Sequence, residues 1–198
     1  MYAIRQVMCN ELKCVFRAVD TTKYQSTIFE EIMKLISDEV SAIRVEAVSL
    51  FADLLDIYNH KYLEEEVMPA VKNEILRIDD EAFCESVINS LPLMVRKLEA
   101  VMDETIESVL KFLTDVVDKY GCNDVCKSFV CMLPGIASTM GPTNFQDRIL
   151  PIYSKLVTYE DLWPDILESL EHLLPFLGTL SNIMQPTIST IIKSQGID

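Results

Sequence analysis

The chain has 198 residues, 49% of them hydrophobic, with eight Pro and only five Gly, which is enough apolar material for a packed core joined by short loops. Its 31 acidic residues against 17 basic ones leave a net charge of −14. That excludes duplex nucleic acid as a partner, since phosphates need Lys and Arg to neutralise them, and it points to basic peptides or basic protein faces.

Val/Thr-rich alternating runs of the strand kind are absent and apolar residues step by three and four, so the expected fold is all-α. Residues 2–19 read as one amphipathic helix (Ile4, Val7, Met8, Leu12, Val15, Phe16, Val19), broken by Asp20-Thr21-Thr22. Charges at Arg5, Glu11 and Lys13 interrupt it, so it does not read as a secretory signal. Helices 25–36 and 41–58 follow, joined by a tight acidic turn at Asp38. The second carries Ile43, Ala47, Leu50, Leu54 and Tyr58 on one broad stripe, with Ser41 placed to cap it. Helix 62–77 has Glu64-Glu65-Glu66 in its first turn, where the helix dipole favours acid. Helix 82–100 contains Pro92, which removes a backbone donor and is expected to kink or split it. Helix 103–119 ends at Gly121, helix 123–140 at Gly141, and helices 144–157, 161–177 and 180–193 complete the chain.

These elements repeat. The turn position recurs every 41 residues, at Asp38, Asp79, Tyr120 and Asp161, and so does the series Phe51, Pro92, Leu133, Leu174. Pro69 and Pro151 lie two such periods apart. A period near 40 with two helices per unit marks a helical solenoid. The run Asp38 to Val48, with Ile43-Arg44-Val45-Glu46-Ala47-Val48 after the turn, resembles the HEAT-repeat family. The family's arginine is matched at Arg44 alone; Glu85, Cys126 and Leu167 hold the equivalent positions.

The resemblance implies a single α-solenoid of antiparallel helix hairpins, HEAT/armadillo-like, over residues 1–198. Its parts are a half-repeat at 2–19, full repeats at 24–58, 62–100, 103–140 and 143–178, and a half-repeat at 180–193. Both half-repeats keep apolar stripes where a solenoid end carries a polar cap. The expectation is therefore a piece of a longer array, or a chain that packs end-on against a partner.

No catalytic constellation stands out. His60 and His172 are 112 residues apart, the glycines are singletons, and the acids sit at turns and helix starts, where capping and dipole preferences put them. The six cysteines (Cys9, Cys14, Cys84, Cys122, Cys126, Cys131) contain no C-x-x-C pair and read as reduced thiols. Expected, then, are no enzyme activity, no catalytic, cofactor or metal site, and no small-molecule substrate. The uncharged runs 128–146 and 172–192 are interrupted by Pro and Gly, so no membrane span is expected.

What remains is a row of turns. In a solenoid they would align as an edge bearing Asp38, Glu39, Asp79, Asp80, Glu81, Asp124, Glu160 and Asp161, with Trp163 as an aromatic anchor. Among HEAT proteins the chain looks most similar to scaffold and regulatory subunits of protein phosphatase 2A-type enzymes. That implies a non-enzymatic adaptor holding other proteins, a phosphatase catalytic subunit among them, in the cytoplasm and also in the nucleus. Nuclear transport receptors, acidic arrays that bind basic cargo, are the alternative. Tubulin-binding TOG arrays come third, because they use basic turns and this edge is acidic.

Overall fold

The computed structural model describes residues 7, 11–16, 18, 21–98, 102–177 and 189. Among them every regular element is helical and there is no strand, so the protein is all-α. Of the predicted helix 180–193 all but residue 189 lies outside the described residues, as do residues 2–6, 8–10, 17 and 19 of helix 2–19, Cys9 among them; residues 11–16 are helical. The chain divides into two compact units, Met1–Phe112 and Leu113–Asp198.

In the first unit, helix α1 (Thr21–Ile36) buries Ile28, Phe29, Ile32 and Ile36, one stripe at helical spacing. It stops at Asp38, whose Oδ1 accepts the Val40 amide at 2.9 Å and turns the chain into α2 (Ser41–Leu54). Ser41 does not cap α2. It is the first helical residue, and its hydroxyl donates instead to Asp80 Oδ1 at 3.0 Å. α2 packs on α1 and buries Ile43, Ala47, Val48, Leu50, Phe51, Ala52 and Leu54. A 3₁₀ turn, Leu55–Ile57, ends it.

Helical run α3 (60–75) starts at Asn59, whose side chain accepts the Tyr62 amide. α4 (Glu81–Lys97) starts at Asp80, whose carboxylate accepts the Phe83 amide at 3.0 Å. It runs through Pro92 as one helix rather than splitting. Phe83, Cys84, Val87, Ile88, Leu91, Met94 and Val95 are all buried there, and that packing offsets the lost backbone hydrogen bond.

α2 and α4 lie side by side and parallel. Ser41 reaches Asp80, the Ser86 hydroxyl donates to the Val45 carbonyl at 2.9 Å, and Lys97 Nζ donates to the Asp53 carbonyl at 2.8 Å. The sequence separations are 39, 41 and 44 residues. Lys13 pairs with Asp53, 40 residues on, so the N-terminal helical segment sits against α2 with a similar offset.

α5 (Met102–Tyr120) runs across the boundary between the units. In the second unit it ends at Gly121, which takes φ +64° while its amide donates to the Val117 carbonyl at 3.1 Å. α6 (Asp124–Asn144) is capped by Asn123 and broken at Gly141, with φ 78° and ψ 165°. α7 (145–156) follows, and α8 (Trp163–Leu177) packs against α6. Phe129, Leu133, Ile136, Phe145, Tyr153 and Ile166, all wholly buried, lie in its interior.

One device occurs in both units. A π turn (Leu63–Val67) ends two residues before Pro69, and another (Phe145–Ile149) ends two residues before Pro151. A proline ring crowds the carbonyl four residues back, and a locally wider turn relieves that without ending the helix.

Gly141 tests the backbone argument. Its φ/ψ lies in a region that is essentially glycine-only, although no atom lies within 4 Å of where a Cβ would sit. Gly141→Ala should lower the stability of the second unit by about 1–3 kcal/mol from backbone strain alone. Gly121→Asn, at a left-handed helix end that Asn tolerates, should cost clearly less. Urea midpoints of the two variants check the order.

Candidate interaction surface

The turn residues singled out by the sequence fall into two groups of different character. In the first unit the network centres on Arg44, whose side chain is 13% exposed. Its Nη1 donates to the carbonyls of Asp38 (3.0 Å) and Glu39 (3.3 Å), its Nε lies 3.3 Å from Asp79 Oδ2, and its Nη2 bonds Asp80 Oδ2. Arg77 adds a second cation. It reaches Asp79 Oδ2 at 3.2 Å, Glu74 at 3.0 Å and the Ile36 carbonyl at 3.4 Å, with its guanidinium 5.1 Å from the Phe83 ring centre.

Asp79 and Asp80 are thus half-buried and neutralised from within, and they clasp the turn after α1 to the turn before α4. Burial pushes the Asp80 carboxyl up, but the Phe83 amide, the Ser41 hydroxyl and the Arg44 guanidinium outweigh it and hold the pKa below the ordinary value. Asp38 spends one oxygen on its own turn. Glu39 and Glu81 are exposed.

In the second unit the acids face solvent. Asp124 is 84% exposed and bonds Lys127 at 2.9 Å. That hydrogen bond and charge raise the Lys127 ammonium, with Asp165 and Asp161 adding to the effect, so the starts of α6 and α8 bring Asp124, Asp161 and Asp165 around one lysine. Glu160 and Asp161 are exposed on the 3₁₀ turn before α8. Trp163 is half-buried, and its indole N–H donates to the Val157 carbonyl at 2.9 Å, so its polar edge closes its own turn. Asp165 and Glu168 were missed by the sequence reading. The signal was available for Asp165, which lies one 41-residue period after Asp124.

The other chemistry-bearing side chains do not converge. His60 lies in the first unit, exposed and 3.6 Å from Glu64, and His172 is exposed in the second. Burial, with Cys122 nearby, pushes the Cys126 thiol up to about 11; burial, Asp165 and Glu168 raise that of Cys131. Both are thiols rather than thiolates at neutral pH. Among the described residues no group of three or more His, Cys, Asp or Glu is placed to hold a metal ion, and no helix is long and apolar enough to cross a membrane.

Comparison with known proteins adds one likeness to this all-α protein with paired turns. Over 72 residues the chain is 29% identical to human serine/threonine-protein phosphatase 4 regulatory subunit 4. The match takes in 36% of this chain and 8% of the length of that protein. No family profile matches the chain, and no solved structure does.

The clasp gives a pH-dependent prediction. A carboxyl whose pKa is depressed by folding stabilises above its unfolded value, near 3.9, and loses that contribution as pH falls through the folded value. Asp80→Asn keeps an N-cap acceptor but removes the charge opposite Arg44. It should be about 1 kcal/mol less stable than wild type at pH 7, with the gap closing below about pH 4; Asp80→Ala, which also loses the cap, should cost about 1–2 kcal/mol more. Denaturant titrations at the two pH values read both effects.

Proposed function

We propose that the chain is a non-catalytic scaffold built of HEAT-type hairpins stacked as an α-solenoid, and that it serves as part of a regulatory subunit of a Ser/Thr protein phosphatase complex in the cytoplasm. The observation that carries the reading is the likeness, over a third of the chain, to a phosphatase 4 regulatory subunit. The parallel packing of α2 on α4 near the 41-residue offset supports the repeat architecture, because stacked identical units pair residues one period apart. Its partners are proteins with a basic face or basic linear motif.

Within this reading the partner-binding residues are not the whole acidic row. Asp79 and Asp80 have their charge neutralised by Arg44 and Arg77, whereas Asp124, Glu160 and Asp161 are exposed and, even with Lys127 paired to Asp124, leave a net negative charge facing solvent. Charge of that kind steers association and sets its salt dependence more than it sets raw affinity. The net charge of −14 also suits a transport receptor that carries basic cargo, and a binding measurement separates the two.

Purified phosphatase 4 catalytic subunit, immobilised and titrated with this chain, is the test. Binding is expected, weakening as salt rises. The triple reversal Asp124→Lys, Glu160→Lys, Asp161→Lys should reduce affinity at least tenfold with unchanged helical circular dichroism, whereas Asp79→Ala should act mainly through stability. Absence of binding to the catalytic subunit would sink the phosphatase assignment. Binding indifferent to the triple reversal would move the site away from these turns.

A further inference from the structure

Phe29 of α1, Tyr58 just past the 3₁₀ turn and Tyr62 of α3 form one aromatic cluster in the first unit. The Tyr58 and Tyr62 rings stack with centres 5.5 Å apart, and Phe29 meets them edge-on at 5.9 and 5.7 Å. Phe29 and Tyr58 are buried, whereas Tyr62 is half-buried and keeps part of its ring in solvent. Asn59 fixes its place: the amide side chain accepts from the Tyr62 N–H at 3.0 Å and donates to Gln25 of α1 at 3.2 Å. Tyr58 is 6% exposed, and its hydroxyl is buried with no hydrogen-bond partner. A buried polar group in that state is rare and points to a missing partner.

Two carboxylates stand at the rim of the cluster. Glu66 lies four residues after Tyr62 on α3, and Glu30 follows Phe29 on α1; both are exposed. The Tyr62 phenol feels them: burial raises it most, then Glu66 and Glu30, while Tyr62 in turn adds to the burial that raises Tyr58. Neighbouring acids have local partners. Glu31 takes Lys34 at 2.6 Å, Glu64 faces His60 at 3.6 Å and Glu65 faces Lys61 at 3.8 Å. Among the described residues no cation pairs with Glu30 or Glu66 in this way. Two uncompensated charges thus sit beside an exposed ring edge and an unsatisfied hydroxyl.

We propose that this corner of α1 and α3 binds one arginine side chain of a partner protein, with the guanidinium on the exposed part of the Tyr62 ring between Glu30 and Glu66. The chemistry selects that occupant. A planar guanidinium stacks on an aromatic face and forks its N–H groups to carboxylates, and it also brings the donor that the Tyr58 oxygen lacks. A divalent metal ion needs more oxygen ligands, and among the described residues no group of three or more His, Cys, Asp or Glu is placed to hold one. A lysine ammonium carries the charge without the planar fork. The site uses none of Asp124, Glu160 and Asp161, so it and the acidic turns of the second unit stand or fall separately.

Titration of the full chain with the blocked tripeptide acetyl-Gly-Arg-Gly-amide, followed by NMR, tests this. The Tyr62 ring signals should shift while the Trp163 indole signal stays in place, and the lysine analogue should bind about threefold more weakly. Glu30→Gln, Glu66→Gln and Tyr62→Leu should each weaken binding about fivefold. Tyr58→Phe keeps the ring and removes the hydroxyl; it should weaken binding about threefold without lowering stability, because the unsatisfied group goes with it. Glu64→Gln and Glu65→Gln remove the same charge from neighbouring positions and should leave the affinity within about twofold. No shift at Tyr62, shifts centred on Trp163, an affinity indifferent to Tyr62→Leu, or equal weakening by Glu64→Gln and Glu65→Gln would each overturn the proposal.

Discussion

The Arg44 guanidinium, 13% exposed, is held by two carbonyls and two carboxylates drawn from the turns on either side of it. A cation taken this far out of water is stable only when its partners are in place, and removing one of them leaves an uncompensated charge. The first unit depends on that condition. The α1–α2 turn supplies the carbonyls, the stretch before α4 supplies the carboxylates, and Asp80 also caps α4 and accepts from Ser41. One carboxylate thereby fixes the start of a helix, its register against α2 and the geometry of the neighbouring turn. Asp79 and Asp80, which look like part of a binding edge in sequence, are internal counter-ions of Arg44.

Two 41-residue periods after Arg44 stands Cys126, buried and with its thiol pushed up to about 11. A neutral side chain there needs no counter-ion, so the acids of the second unit are not drawn inward. Asp124 pairs with Lys127 and remains 84% exposed. In the first unit Asp79 and Asp80 are counter-ions of a half-enclosed arginine, and in the second a buried cysteine stands two 41-residue spacings further along.

The helices were legible because their apolar stripes have the helical period, and most ends were placed within a few residues by Asp, Asn and Gly. What was not legible depended on groups far apart in sequence. Ser41 has the composition of a cap, yet its hydroxyl goes to an acceptor 39 residues away that no local rule reveals. Pro92 is a helix breaker on propensity, but a broad face of α4 is buried and packing overrides it. Trp163 reads as an anchor for a partner because tryptophan is common at interfaces, whereas its N–H is used by the Val157 carbonyl six residues earlier. The pairing of Asp79 and Asp80 with Arg44 crosses about 35 residues, and only the 41-residue period hints that the two turns are neighbours.

Ionic strength separates the two kinds of acidic turn. Attraction between an exposed acidic turn and a basic partner fades as the Debye length shrinks to about 8 Å near physiological salt. The Arg44 clasp is screened far less, because its guanidinium is 13% exposed and its contacts to the Asp38 and Glu39 carbonyls and to Asp79 all lie within 3.3 Å. Salt that weakens binding at Asp124, Glu160 and Asp161 should therefore leave the stability of the first unit nearly unchanged, whereas a general loss of structure would lower both together.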